Sequence, residues 1–513
     1  MLFNSYPFLI VFLPIVLMAA YFVWYRDGQT ALISMAVIAS LAFYAWWDIR
    51  LLPLLIGSIL ANYWVARTFC RTQSRWLFRI GIASNLAVLF LFKYAVFFSE
   101  EIIGRPGFFF GLETVFLPLG ISFFTFQQIA FLCDVRAGTV RVPSFRKYAL
   151  FISFFPQLIA GPIVRLNEFL PQLDLRRFRV GLDNLAVGLT IFSIGLCKKT
   201  LLADHFAIVA NDVFAAAERG DPVSVIAAWC GTLAFSMQIY FDFSGYSDMA
   251  IGLARMFGIR LPENFRSPYK ASSFIEFWRR WHITLSRFLR DYLYKMLGGN
   301  RNGLTRQCVN LIIVMVLGGI WHGAGWTFII WGAIHGIGLT LNHIFNRLRR
   351  SFSMANFLPR TARIACGWVA VQVFVVIAWI FFRAESVDGA SNLLAAMFGL
   401  NNTLLIPQEL LVFPGLAAAF GAAAMPMAEI PYFHGWVELA LLAVGGVIVI
   451  FLPNTAQIMR RYNSAILVEH LPHLERSRFI WRPSSFWAMI TAVLFVVAFL
   501  GMSRVNEFIY FQF

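Results

Sequence analysis

Residues 310–341 read NLIIVMVLGGI, WHGAG, WTFIIWGAIHGIGLTL: an apolar segment from Asn310 to Ile320, a turn from Trp321 to Gly325, and a second apolar segment from Trp326 to Leu341. Arg301 and Arg306 precede the stretch, and Arg347, Arg349, Arg350 and Arg360 follow it. Lys and Arg concentrate on the cytoplasmic side of membrane proteins, so the stretch is expected to rise from the cytoplasm as a hairpin. As a helix its first arm reaches about 15–20 Å, short of a hydrocarbon core of about 30 Å, which would leave His322 at membrane depth. An ionisable ring there either carries function or is a neutral histidine hydrogen-bonded between helices.

The composition agrees with a membrane setting. Of 513 residues, 59% are hydrophobic and 13% charged, with a mean hydropathy of +0.71, far from a soluble domain. The chain is expected to be an all-α polytopic membrane protein. Its formal charge of +16 falls mostly between hydrophobic segments, which orients the protein and attracts anionic headgroups of the lipid bilayer. No soluble basic domain offers a nucleic-acid site. The six cysteines, Cys70, Cys133, Cys197, Cys230, Cys308 and Cys366, have no CxxC spacing, so neither a disulfide framework nor a metal site is indicated. Pro7 to Trp24 lacks a basic leader and a cleavage site and reads as a retained span.

Further spans are expected near 30–47, 51–66 and 80–98. Arg67, Arg71, Arg75 and Arg79, four residues apart, would share one helical face and mark the cytoplasm. Phe154 to Pro162 lies between two basic loops and is too short to cross. Its two prolines and glycine free backbone groups that cannot face lipid, so it should be re-entrant or a kinked structural helix. Spans near 184–202 and 222–240 follow. Ser247 could cap a helix beyond, whereas Asp242, near the end of an apolar run, needs a partner or water. Ser273 to Tyr294 reads as one amphipathic helix opened by a Ser273/Glu276 capping box, with Trp278, His282, Leu285 and Leu289 on its apolar face. His282 then points into membrane or core, or sits incidentally beside an interfacial anchor of Trp278, Arg279, Arg280 and Trp281. Ile364–Phe382, Val437–Leu452 and Phe486–Leu500 complete the spans, and 403–428 is apolar but broken by three prolines.

No GxSxG elbow, P-loop, HExxH or dinucleotide fingerprint is present. Two histidines 40 residues apart remain, and both could meet in one cavity. Histidine suits general-base chemistry near neutral pH, and activating a hydroxyl against a thioester requires no bound cofactor. Gly318, Gly319, Gly323 and Gly325 would let a substrate or another backbone approach His322, or serve as small residues in helix packing.

Several motifs carry a resemblance. Leu117 to Phe123 (LPLGISF), Phe155 to Pro162 (FPQLIAGP), Phe243 to Ala250 (FSGYSDMA), Pro262 to Phe265 (PENF), Phe277 to His282 (FWRRWH) and Trp321 to Gly323 (WHG) occur in this order. With the opening Met1 to Ser5, they resemble the membrane-bound O-acyltransferase (MBOAT) family. Phe381 to Ala384, Leu452 to Thr455 and Glu507 to Phe513 are similar to its bacterial alginate O-acetyltransferase branch, across an extension that D-alanyl-transferring relatives lack. The resemblance implies a core over 1–400, a C-terminal transmembrane extension over 401–513, and about a dozen transmembrane or re-entrant helices around a central tunnel. It implies that His322 and His282 are catalytic. Asp242, Ser244, Tyr246, Asn264, Trp321 and Trp278 would line the tunnel or support it.

The resemblance also implies a donor, acetyl-CoA, on the cytoplasmic side of the inner membrane. Acetyl would pass outward to a polysaccharide through periplasmic acetyltransferase partner proteins. Alternatives within the family are O-acetylation of peptidoglycan or cellulose, or transfer of another short acyl group. Outside it stand a transporter or proton channel with a histidine relay, and a scaffold for a secretion complex.

Overall fold

The structure, a computed structural model, describes residues 1–109, 111, 117–173, 181–351, 359–400, 405–410, 423–466, 479–503 and 509. Among the described residues its regular structure is helical apart from one two-stranded parallel sheet, Leu405–Pro407 beside Ala423–Met425, and an isolated bridge between Pro262 and Ile466. Seven helices among the described residues are long and apolar enough to cross a membrane.

The first of these is a single element, Pro7–Ala45, containing α1 (Leu13–Ala45). Its non-helical backbone at Gly28 separates the two spans expected there. Next come α2 (Leu52–Thr72) and α3 (Arg75–Leu89). The four arginines do not share one helix face. Gln73, left-handed at φ 53°, ends α2 and Ser74 caps α3 through its hydroxyl, so the chain turns between Arg71 and Arg75. Two residues in a turn cost less than the periodicity suggests when a cap satisfies the next helix's first amides.

Next, α4 (Ile121–Arg136) and α5 (Phe145–Ser153) precede α6 (Phe155–Leu158), only four residues long. Residues 151–164 are buried throughout, which places the backbone freed by Pro156 and Pro162 inside protein. Gly120 touches this segment: at φ +69° an added Cβ would lie 2.5 Å from the Leu158 carbonyl oxygen, a position only glycine fills.

The centre of the molecule is built from α7 (Leu182–Cys197), α8 (Asp204–Arg219) and α9 (Val225–Met256). A π turn over Lys198–Ala203 joins the first two. Helix α9 runs unbroken for 32 residues, so Ser247 lies inside it and caps nothing. The expected amphipathic helix is divided into α10 (Phe274–Arg280) and α11 (Ile283–Leu289) by a break at Trp281 and His282. Half of the predicted capping box forms. The Ser273 hydroxyl accepts from Glu276 N at 3.2 Å, while the Glu276 carboxylate takes Ser272 N at 2.9 Å rather than the cap residue's own amide.

The hairpin is present as α12 (Gly303–His322) and α13 (Trp326–Ser351). Its first arm is 20 residues, about 30 Å at 1.5 Å per residue, because the helix begins seven residues before Asn310. The shortness expected of that arm does not hold, and His322 is enclosed by protein instead, at 5% exposure. The arms meet closely: a Cβ on Gly319 would lie 2.2 Å from the Phe328 carbonyl oxygen, so this glycine serves helix packing.

Helices α14 (Arg360–Arg383), α15 (Val387–Met397), α16 (Trp436–Phe451) and α17 (Ser485–Leu500) complete the bundle. Helix α17 lies against α7, with Thr190 Oγ1 and Thr491 Oγ1 3.1 Å apart. The 403–428 region is described only at Leu405–Leu410 and 423–428, and the terminal Glu507–Phe513 motif only at Ile509.

Candidate functional site: two buried histidines at a helix break

The break at His282 is built from a strand-like segment 16–18 residues upstream. Trp281 is extended and His282 left-handed at φ 40°, ψ 54°, a conformation that costs a non-glycine residue about 1–2 kcal/mol. Two backbone bonds replace those the helix loses: Arg266 N donates to Arg280 O, and Ile283 N to Asn264 O, both at 2.9 Å. The strain therefore has a structural purpose. It turns the imidazole away from the path a continuous helix would give it and into the protein, where it has no exposed surface.

The Asn264 side chain decides which ring nitrogen of His282 carries the proton. Asn264 Oδ1 faces Thr284 N at 3.3 Å and Thr284 Oγ1 at 2.9 Å, and Asn264 Nδ2 donates to Ser247 Oγ at 3.3 Å. A backbone N–H can only donate, so this atom is the amide's oxygen. His282 Nδ1, 3.0 Å from the same oxygen, must then be the N–H, which leaves the lone pair on Nε2. Thr284 Oγ1 in turn accepts from Ile163 N at 3.0 Å, tying the site to the re-entrant segment. Burial pushes the His282 imidazole down to about 3, so the ring is a neutral acceptor at working pH.

His322 ends α12. Its ring centroid lies 6.4 Å from that of His282, and Trp321, Trp331 and Phe382 surround it at 4.9, 5.1 and 5.2 Å. Trp321 also sits 6.2 Å from His282 and stacks on Phe126 at 5.2 Å. The last carbonyls of α12 have no partners within the helix, and α3's continuation supplies them. Lys93 Nζ donates to Trp321 O at 2.7 Å and to His322 O at 2.8 Å, and Tyr94 Oη to Ile320 O at 2.9 Å. A cation at the negative end of a helix is favourable, and here it fixes the residue carrying the second imidazole.

Of the residues picked out in the sequence, His322, His282, Trp321 and Asn264 come together. Trp278 stands one layer away, against Trp331 at 5.9 Å and His335 at 5.1 Å. Ser244 lines a small cavity that Asn264 also lines. Asp242 and Tyr246 face elsewhere. Asp242 pairs with Lys199 at 2.8 Å and accepts from Ile509 N at 2.9 Å, while Tyr246 stacks on Phe3 at 4.8 Å. Sequence reasoning missed Lys93, whose partner lies 228 residues away, and His335, a fully buried ring 4.8 Å from Trp331. His335 had a signal available, since it follows Trp331 by one helical turn on the arm already singled out.

Two rings at this separation can both reach one substrate oxygen at hydrogen-bond distances of about 2.6–3.2 Å. A multi-pass helical membrane protein with an enclosed histidine pair is suited to acyl transfer rather than to a soluble hydrolase's triad. Residues 69–384 match the MBOAT, membrane-bound O-acyltransferase family, and the chain belongs to that family; it is an acyltransferase. It is 43% identical to a peptidoglycan O-acetyltransferase of Helicobacter pylori over 79% of this chain and 81% of that one. It is 42% identical to a protein of Pseudomonas aeruginosa named probable alginate O-acetylase AlgI, over 78% of this chain and 75% of that one. A teichoic acid D-alanyltransferase of Streptococcus thermophilus is 27% identical over 68% of this chain and 85% of its own length. Family membership sets aside the transporter and scaffold readings.

Proposed function

We propose that the protein takes acetyl from acetyl-CoA on the cytoplasmic face of a bacterial inner membrane. It delivers the acetyl outward, through periplasmic acetyltransferase partners, for O-acetylation of an exopolysaccharide such as alginate. The observation that carries this reading is the enclosed pair of imidazoles 6.4 Å apart, in a chain whose relatives are named O-acetylases and O-acetyltransferases. In the proposed reaction a hydroxyl oxygen attacks the thioester carbonyl carbon, the C–S bond breaks and a new C–O bond forms. His322 takes the hydroxyl proton and returns it to the departing sulfur, so no net proton is consumed. His282, whose Nε2 can only accept, orients the acceptor substrate by taking a hydrogen bond from a second donor group on it, since the attacking hydroxyl's one proton goes to His322. The tunnel-lining assignment is kept for Trp321, Trp278, Ser244 and Asn264. The Helicobacter pylori relative supports peptidoglycan as a second candidate polymer.

The test is transfer of labelled acetyl from acetyl-CoA, supplied to the cytoplasmic face of vesicles holding the periplasmic partner and polymer. His322→Ala at matched folded protein is expected to lose transfer by at least about 10²-fold, the lower range for a positioned acid–base group. Transfer at the wild-type rate would return His322 to a packing role.

A further inference from the structure

The segment that carries Asn264 is held by the C-terminal extension as well as by the core. Glu263 N donates to Ile466 O at 3.1 Å and Ile466 N to Leu261 O at 2.9 Å, a short parallel bridge centred on Pro262 and Ile466. Beside it Thr455 Oγ1 donates to Asp248 Oδ2 at 2.6 Å and accepts from Lys198 Nζ at 3.1 Å, joining an ion pair of 2.6 Å. These groups border a partly open pocket of about 20 Å³ lined by Ser244, Ser247, Glu263, Asn264 and Asn454 among others.

Two buried polar atoms of that lining have no protein partner among the described residues: Glu263 Oε1 and Asn454 Nδ2. A pocket of this size accepts one water, and those two atoms are enough to hold it. Leaving those atoms dry would forfeit hydrogen bonds that water supplies in the unfolded chain.

We propose that the C-terminal extension is a positioning element of the transfer site. Thr455, the Ile466 bridge and one bound water hold the 261–264 segment so that Asn264 keeps the His282 imidazole in its Nε2 lone-pair tautomer. The path is short and continuous: Ile466 fixes residues 261 and 263, the cavity seats Ser247 and Asn264 side by side, and Asn264 meets His282 Nδ1. Asn264 and Thr455 are positioning residues, since neither needs to touch the acyl group. This inference rests on His282 acting in the proposed reaction.

The experiment uses the full chain in vesicles with the acetyl-transfer assay, comparing Thr455→Val, Thr455→Ser and His282→Ala with wild type. Thr455→Val keeps the shape and removes the hydroxyl. It is expected to lower kcat about tenfold while KM for acetyl-CoA stays unchanged, on the scale of a sub-ångström misplacement. Thr455→Ser restores the hydroxyl and is expected to recover kcat to within about twofold of wild type. Thr455→Val at wild-type kcat overturns the inference and leaves the proposed function standing, as does a loss that Thr455→Ser fails to rescue. Wild-type activity in His282→Ala overturns this inference together with the role of His282 in the proposed reaction. Should Thr455→Val fail to fold, Ser247→Ala carries the same expectation: it removes only the acceptor of Asn264 Nδ2, and an unchanged kcat there is equally fatal.

Discussion

At His282 two demands on one residue conflict. Its left-handed backbone favours glycine, while its chemistry requires an imidazole. His282→Ala keeps the strain and loses the Asn264 bond, whereas His282→Gly loses the bond and relieves the strain. The glycine variant is therefore expected to melt above the alanine variant by a few degrees, with transfer abolished in both. Thermal unfolding in detergent beside the transfer assay reads both effects. A pH series gives an independent check. The ring is held down at about 3 whereas the unfolded chain titrates near about 6.5, so between those values the unfolded state binds more protons. The contribution of this residue to stability is complete above the unfolded value and falls as pH drops towards the folded one. The Tm of wild type is expected to decline more steeply than that of His282→Gln from about pH 7 to about pH 4. Parallel slopes would place the imidazole in contact with water.

Elements meet at the end of the hairpin. Lys93 from α3's continuation caps the carbonyls of Trp321 and His322. Lys93→Met is expected to keep the helix, since its apolar stem stays, and to loosen its last turn. Transfer is then expected to fall about tenfold or more, the order a displaced reacting group produces, with little change in Tm. The comparison of Tm with kcat checks this. This contact also marks where sequence reading stops. The hairpin was legible because apolar runs, a glycine-rich turn and basic flanks are local signals. The helix break at His282 was not: the helical spacing of Trp278, His282, Leu285 and Leu289 continues straight through it. What interrupts the helix is a pair of backbone bonds to Asn264 and Arg266, far upstream and without helical or apolar pattern. Likewise nothing near Lys93 announces a partner 228 residues on. Asn264 and Ser244 could be picked out only through the family's motifs, which also drew in Tyr246, while Asp242 stood out by its place near the end of an apolar run; Asp242 and Tyr246 lie on another face of α9 from Ser244.

For the molecule as a whole, the buried charges act as clasps between distant parts of the chain. Lys199 reaches Asp204 at 2.9 Å and Asp242 at 2.8 Å, and Asp242 also receives the Ile509 amide. The π turn after α7, helices α8 and α9 and Ile509 thus share one network, with every carboxylate involved nearly inaccessible to solvent. Removing one partner from such a network costs about 3–5 kcal/mol, because a charge is left behind. Asp242→Ala is therefore expected to reduce the folded fraction recovered from membranes and to lower Tm more than His282→Ala does. Size-exclusion profiles and melting curves of the two variants decide it; equal Tm values would show that the network contributes little.

The interrupted helix has a mechanical consequence. Between α10 and α11 the amides of Arg266 and Ile283 tie the gap to the 264–266 segment, while the hairpin opposite is locked by close backbone contact at Gly319. Compliance is concentrated on one wall of the site. Arrival of an acyl group should be felt as a rotation of α11 about His282, seen in deuterium uptake at those two amides while the hairpin stays still.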